Sequence, residues 1–230
     1  MPDLGLPGFL LYLLERKMRS ITHLIFMGAM VMAASITAAA PPSIITQGKG
    51  AAIACASCHG VDGAGNAQAG FPVLAQLPPA HFAKQIADFK AGTRVNPIMT
   101  PIATAMSAED IESSARHYES QVRPKAGAAT TDPAVIARGR NLAINGAWNR
   151  DVPPCFKCHA VDGLGIAPAF PPIAAQHAAY TVNQLQAWKT GTRTNDPQKL
   201  MKTVAEKLTD DDIRAVADYL ATLGSRGEGK

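Results

Sequence analysis

All four cysteines of this chain lie in two short motifs that share one pattern. The first motif is Cys55-Ala56-Ser57-Cys58-His59, and the second is Cys155-Phe156-Lys157-Cys158-His159. Two cysteines at this spacing can form thioethers on one edge of a porphyrin, while the histidine that follows ligates the iron. The sequence therefore predicts two covalently attached haem c groups, held by Cys55, Cys58, Cys155 and Cys158, with His59 and His159 as iron ligands.

Three other kinds of site use closely spaced cysteines. A thioredoxin-like dithiol needs neither the following histidine nor a second copy. A zinc site would more usually draw its ligands from non-equivalent segments, and structural disulfides seldom pair cysteines so close in sequence. The repetition of the complete five-residue motif favours haem attachment over all three.

The first 40 residues have the features of a secretory signal peptide. Arg19 supplies a positive flank, residues 21–36 form an apolar run, and Ala38-Ala39-Ala40 provides the small residues that a signal peptidase needs. Met18 is a possible true start of the protein. We expect residues 1–40 to be removed and the mature protein to be periplasmic, because bacteria attach haem c in that compartment.

An uncleaved membrane anchor is the alternative for this leader. Residues 21–40 are about long enough to span a bilayer. The segment becomes rich in Ala, Ser and Thr, however, and then breaks at Pro41-Pro42, which favours cleavage. Membrane association is expected only if the leader is retained.

The charge of the chain argues against a nucleic-acid partner. The whole chain has a formal net charge of only +4, and removal of the leader lowers it further. A nucleic-acid surface requires a stronger and more concentrated positive charge. The ionised haem propionates would bring the holoprotein near neutrality. We therefore expect redox proteins as partners.

The chain after the leader contains two copies of one module, at a spacing near one hundred residues. This duplication predicts a first domain at residues 41–120 and a second at residues 134–230, joined by a linker at 121–133 that is rich in Pro, Gly, Ala and Thr. Residues 145–154 are an insertion that the first copy lacks. The matching segments are 59–65 with 159–165, 71–75 with 170–174, and 90–94 with 189–193.

The local signals within each copy are helical. Phe82, Ile86 and Phe89 recur at helical spacing, and Gly92 follows them as a C-cap. Ser107 and Thr209 each precede an aspartate by three residues, which is typical of a capping box that opens a last helix. Nothing alternates like a strand, so the predicted fold is all-α.

The repeat also selects candidates for the second axial ligand of each iron. Met99 and Met201 occupy matching positions, whereas Met106 matches a leucine and is expected in the core. A ligand scheme that uses His81 or His177 is the alternative, but neither histidine has a histidine counterpart in the other copy. Met99 and Met201 are therefore the predicted ligands, and a thioether ligand raises the reduction potential of the iron.

These motifs together resemble the dihaem class I cytochromes c of the cytochrome c4 type, over nearly all of residues 44–223. The resemblance implies two tandem cytochrome c domains, related by a pseudo-twofold axis and each wrapped around one haem. It also implies that the carbonyls of Pro72 and Pro171 accept hydrogen bonds from the ligand histidines. Gly48 and Gly139 are the glycines expected where first and last helices cross.

The predicted function is that of a periplasmic electron carrier between a donor, such as a respiratory complex or a dehydrogenase, and a terminal acceptor such as an oxidase. The alternative is an obligate cytochrome subunit of a periplasmic dehydrogenase complex. No catalytic constellation accompanies the haem motifs, so the protein itself is not expected to be an enzyme. A dihaem peroxidase would require an iron with an open or releasable position.

Overall fold

The structure, a computed structural model, describes residues 40–126 and 128–224. Within these ranges the regular elements are helices, and strand-like pairing is confined to isolated bridges, so the predicted all-α fold is confirmed. The first copy contains α1 Ser43–Thr46, α2 Ala56–His59, α3 Pro79–Ala91, α4 Met99–Ala105 and α5 Ala108–Glu119. The second contains α6 Pro133–Asn145, α7 Phe156–His159, α8 Ala178–Thr190, α9 Leu200–Lys207 and α10 Asp210–Thr222.

The predicted signal peptide, including Met18, lies outside the described residues except for Ala40. Among the helices of the described ranges, none has both the length and the apolar character that a membrane crossing requires.

Helix α3 forms as its apolar spacing predicts. Pro79 occupies the first turn, where a missing N–H costs nothing, and Phe82, Ile86 and Phe89 are buried on one side. Gly92 ends the helix at φ 74°, a left-handed conformation that glycine adopts without strain. In the second copy α8 ends in the same way at Gly191.

Both predicted capping boxes are present. The Ser107 hydroxyl accepts a hydrogen bond from the Asp110 N–H, and the Asp110 carboxylate accepts one from the Ser107 N–H. Thr209 and Asp212 form the same reciprocal pair at the start of α10. These boxes fix where the last helix of each copy begins.

The first helices of the two copies differ. Helix α6 packs against α10 at Gly139, where an added Cβ would lie 2.0 Å from the Ala215 carbonyl oxygen. The expectation for Gly48 was wrong: this residue follows the single turn of α1 at φ 75° and corresponds to Gly146, which follows α6 at φ 73°. With so short a first helix, the first copy has no long crossing that requires a small residue.

The insertion predicted at residues 145–154 is smaller than expected. A bridge from Lys49 to Ala52 closes the loop in the first copy, and a bridge from Ala147 to Val152 closes it in the second. The second loop is therefore only two residues longer. Those residues place Arg150 where its Nη1 donates to the Asp212 carboxylate at 2.5 Å, which ties the loop to the start of α10.

The segment between the copies is packed against the protein. Arg123 is buried and donates from Nη1 to the Ala75 carbonyl at 2.9 Å. Ala126 belongs to a small apolar cluster with Ala178 and Ala217 of the second copy. Asp132 then caps α6 by accepting from the Ala134 N–H.

The two copies contact each other through backbone and side-chain hydrogen bonds. The backbone N–H of Thr194 donates to the carbonyl of Thr93 at 3.1 Å. The amide of the Gln176 side chain pairs with the Val73 backbone: its oxygen accepts from the Val73 N–H, and its nitrogen donates to the Val73 carbonyl. These bonds hold together the walls of the cavity between the copies.

Candidate haem-binding site

One cavity of 810 Å³ extends across both copies. Much of its wall is apolar, including Phe82, Ile86 and Phe89 of α3. All ten site residues predicted from the sequence line this cavity. They are Cys55, Cys58, His59, Pro72 and Met99 from the first copy, and Cys155, Cys158, His159, Pro171 and Met201 from the second.

Each motif histidine is oriented by a carbonyl. His59 Nδ1 lies 3.0 Å from the Pro72 oxygen, and His159 Nδ1 lies 2.8 Å from the Pro171 oxygen. Burial lowers the pKa of both rings, and the hydrogen bond to the carbonyl only partly offsets this effect. Each imidazole is thus held neutral with Nδ1–H donating, so the lone pair of Nε2 is available for a metal.

Two glycines bring these carbonyls close to the histidines. Gly65 adopts φ 71° and donates from its N–H to the His59 carbonyl at 2.9 Å, and Gly165 adopts φ 79° and does the same for His159 at 2.7 Å. A Cβ on Gly65 would lie 2.6 Å from the Pro72 oxygen. Only glycine at this position therefore lets the loop that carries the Pro72 carbonyl lie against the His59 ring.

The first cysteine of each motif lies in surroundings that disfavour thiolate. No disulfide joins the four motif cysteines. Burial raises the pKa of Cys55, and it raises the pKa of Cys155 to about 11. A redox dithiol is instead activated by a lowered pKa. An uncharged sulfur in an apolar wall is suited to the thioether bond that attaches haem c.

The two candidate methionines stand at the beginning of equivalent helices. The Asn96 side chain accepts from the Met99 N–H at 2.8 Å, and the Asp196 side chain accepts from the Lys202 N–H, next to Met201, at 2.9 Å. Both methionines are partly buried and reach the cavity. Met106 also lines the cavity, but it is almost fully buried in the apolar core of the first copy.

The remaining histidines differ in their surroundings. His177 Nε2 lies 3.0 Å from the Ala64 carbonyl oxygen, and His117 Nε2 lies 2.7 Å from that of Val61. His81 lies in the cavity wall. Burial, together with the nearby Arg193 and other cations, lowers the pKa of His81 to about 4, so its ring is neutral at physiological pH.

The structure also brings together residues to which the sequence analysis assigned no role. Arg94 and Arg193, the last residues of the repeated Gly-Thr-Arg segments, both lie in the cavity wall with Gln85 and Gln184. The repeat of this segment was the available signal. Its chemistry depends on the contact between the copies, which the sequence does not show.

Comparison with known proteins identifies the family. The cytochrome c profile matches this chain twice, at residues 45–121 and 136–224. The chain belongs to the cytochrome c family. A reduced recombinant cytochrome c4 from Pseudomonas stutzeri superposes with a TM-score of 0.70 and 37% identity, covering 80% of this chain and 100% of that one. This cytochrome is therefore of the dihaem c4 type, with two covalently bound haem c groups in tandem class I domains.

Two further relatives are named for thiosulfate oxidation. A "thiosulfate dehydrogenase electron acceptor" from Stutzerimonas stutzeri strain A1501 is 43% identical over 204 residues, which is 88% of this cytochrome and 94% of that protein. A solved thiosulfate dehydrogenase from Marichromatium purpuratum superposes with a TM-score of 0.74 and 41% identity. The match covers 79% of this cytochrome but only 39% of that chain.

The residues of the cavity fit two haem c groups. Each copy contributes two thiols, an oriented imidazole and an apolar wall, which is the donor set that covalent haem requires. Bound haem supplies a one-electron couple, and this cytochrome is an electron-transfer protein. The polypeptide contributes the attachment, the orientation of the histidines and the exclusion of water.

Proposed function

We propose that this cytochrome is a periplasmic carrier that accepts electrons from thiosulfate dehydrogenase and passes them to a terminal acceptor such as an oxidase. One observation supports the carrier role above the others: both sets of haem-site residues line the same cavity. Two redox centres in one cavity can exchange electrons within the protein. The 43% identical relative named as an electron acceptor supports the choice of donor.

The proposed axial ligands are His59 with Met99, and His159 with Met201. A methionine sulfur favours ferrous iron, so both reduction potentials are expected to be high. With two protein ligands at each iron, neither metal has a position for a substrate. This arrangement favours electron transfer without catalysis by the cytochrome itself.

The donor is tested by direct reduction. The oxidised holoprotein is mixed with a catalytic amount of purified thiosulfate dehydrogenase, and the α-band of ferrous haem is recorded after thiosulfate is added. We expect complete reduction of both haems only when enzyme and thiosulfate are both present. Failure of reduction with an enzyme that is active towards an artificial acceptor would refute this donor.

The mass of the cytochrome isolated from periplasm reports both haems and cleavage after Ala40.

A stable dehydrogenase subunit is the second candidate. The solved thiosulfate dehydrogenase favours it, because the region similar to this cytochrome is there only 39% of a longer chain. Purification from the native host without added detergent separates the two candidates. A cytochrome that elutes alone supports the free carrier, whereas a catalytic chain retained at a fixed ratio supports the subunit.

A further inference from the structure

We propose that Arg123, in the segment between the copies, and the start of α8 together bind a small inorganic anion such as chloride. The site lies where that segment meets both copies. Neither Arg123 nor His177, the residue before α8, lines the haem cavity, so this anion is distinct from the carboxylates of the haems. The proposal does not depend on the donor, the acceptor or the axial ligands of the irons.

The Arg123 guanidinium is buried with most of its donors unused. The residue is only 3% exposed, and Nη1 donates to the Ala75 carbonyl at 2.9 Å. Its Nε and Nη2 are buried without a hydrogen-bond partner. Burial lowers the pKa of Arg123 to about 10, and the group that partly offsets this effect is Tyr180, not a carboxylate. Arg123 is therefore a cation at neutral pH, and its charge lacks a negative partner among the described residues.

Packing on two sides places Arg123 beside the start of α8. The loop that accepts its hydrogen bond at Ala75 also bonds the side chain of Gln176, which lies two residues before the helix. Ala126, three residues after Arg123, belongs to one apolar cluster with Ala178, the first residue of α8. The segment between the copies thus runs along this helix end.

The start of α8 offers further donors. His177 is the N-cap residue, and its side chain makes no capping hydrogen bond. The N–H of Thr181 donates to the His177 carbonyl, so the N–H groups of the three residues in between have no partner within the helix. Burial lowers the pKa of His177, and the nearby Arg123 charge lowers it further, so the guanidinium acts on this helix end. The N-terminus of a helix attracts anions through such N–H groups and through its partial positive charge.

The matching helix of the first copy offers fewer donors. Helix α3 has Pro78 as its N-cap residue and Pro79 as its first residue, and proline has no N–H. The combination of a buried arginine with an uncapped helix start is therefore specific to α8 and the segment that precedes its domain. It does not follow from the repeated module itself.

A buried cation requires a negative partner as well as acceptors for its hydrogen bonds. A water molecule could accept from Nε or Nη2 of Arg123, but it would leave the charge uncompensated in surroundings of low polarity. An anion satisfies the donors, compensates the charge and interacts favourably with the helix dipole. Because Arg123 also bonds the first copy, a bound anion would stabilise the contact between the copies.

The test measures the melting temperature of the holoprotein while chloride replaces gluconate at constant ionic strength, so that screening of surface charges does not change. We expect the melting temperature to rise and then saturate. The rise should be about 4 °C at a chloride concentration ten times the dissociation constant. The chloride NMR line width gives a direct measure, because exchange with bound chloride broadens the signal. It is recorded on the reduced holoprotein so that ferric iron does not contribute.

Three variants locate the site. Arg123→Met removes the charge and should abolish both responses to chloride, while its stability in gluconate should equal or exceed that of the parent. Ala178→Pro removes one N–H at a first-turn position that tolerates proline, as Pro79 shows in the first copy, and should raise the dissociation constant for chloride several-fold. Arg116→Gln, at an exposed ion pair on α5, is the matched control and should respond as the parent does.

Water is the competing occupant, because it could also donate to His177 Nδ1, which is buried without a partner. If neither the melting temperature nor the line width of the parent responds to chloride, water occupies the site and the proposal is overturned. An equal response in Arg123→Met would place the chloride elsewhere and would also overturn it. Should Arg123→Met not fold, Ala178→Pro decides, because an unchanged affinity for chloride in that variant would refute a site at the start of α8.

Discussion

Gly139 of α6 lies directly against the backbone of Ala215 in α10. A Cβ at this glycine would be 2.0 Å from the Ala215 carbonyl oxygen and 2.8 Å from the Tyr219 Cβ. Because the first of these atoms belongs to a helix backbone, no side-chain rotation can relieve the overlap. The two helices can approach this closely only while residue 139 is glycine.

We therefore predict that Gly139→Ala destabilises the protein by about 3 kcal/mol, since overpacking at a rigid contact must separate the two helices. Urea unfolding of the holoprotein, followed by circular dichroism, measures the loss. Arg140→Ala alters an exposed residue of the same helix and is expected to stay within about 0.5 kcal/mol of the parent. A fully stable Gly139→Ala protein would show that the helices do not cross here.

The two capping aspartates should differ in their importance. The Asp212 side chain is 2% exposed and accepts from Arg138 at 2.8 Å and Arg150 at 2.5 Å. Asp110 pairs with Lys49, whose side chain is 59% exposed. We predict a cost of about 2 kcal/mol for Asp212→Asn, which removes the ionic partner of two half-exposed arginines and weakens the cap, and of about 1 kcal/mol for Asp110→Asn. Equal losses in the two variants would contradict this ranking.

The Asp212 carboxylate also predicts a dependence on pH. Burial alone would raise its pKa, but the hydrogen bonds from Arg150, Arg138 and Thr209 outweigh burial and hold the pKa well below its usual range. Its contribution to stability is thus complete above the unfolded pKa of about 4 and decreases as pH falls towards the folded pKa. The stability difference between the parent and Asp212→Asn should shrink below about pH 4. A difference that stays constant into acid would refute the assigned ionic interaction.

The parts of the fold that follow from local sequence were predictable. The start of α5 at Ser107 and the end of α3 at Gly92 depend on hydrogen bonds between residues a few positions apart. Such short-range bonds can be predicted from the residue types alone. The Gly48 expectation failed because α1 is a single turn, a fact that no local motif indicates. The cluster of Arg94 and Arg193 requires two segments about one hundred residues apart to meet, and only the structure shows that contact.

The proposed methionine ligands are tested by removing the sulfur ligand from one iron at a time, which leaves a coordination position available. Met99→Ala is expected to let carbon monoxide bind one ferrous haem and to lower that haem's potential, because the soft sulfur no longer favours ferrous iron. Met201→Ala should do the same at the other haem. Visible spectra with and without carbon monoxide provide the measurement. Met106→Leu, a volume-conserving change at the buried core methionine, is the control and should leave the spectrum unchanged.

A methionine variant that keeps the parent spectrum and excludes carbon monoxide would show that another side chain ligates that iron. His81 is the alternative for the first copy, because its neutral ring lies in the cavity wall. The double variant Met99→Ala with His81→Ala would then be expected to bind carbon monoxide where the single variant did not.

Gln176 joins the second copy to the chain segment that orients His59. Its side-chain oxygen accepts from the Val73 N–H at 2.9 Å, and its amide nitrogen donates to the Val73 carbonyl at 3.1 Å. Val73 is buried and directly follows Pro72, whose carbonyl accepts from the histidine ring. Gln176→Ala would therefore leave two buried backbone groups without partners, at a cost of about 2 kcal/mol.

The consequence of Gln176→Ala should be unequal between the haems, because the Pro171 carbonyl that orients His159 is bonded independently of this contact. We predict that the first haem becomes more accessible to carbon monoxide and that its redox step changes, while the second keeps its parent behaviour. Gln186→Ala removes an exposed amide that bonds Asp210 and serves as the control. Equal changes at both haems would mean that Gln176 supports the interface as a whole and not the loop that carries Pro72.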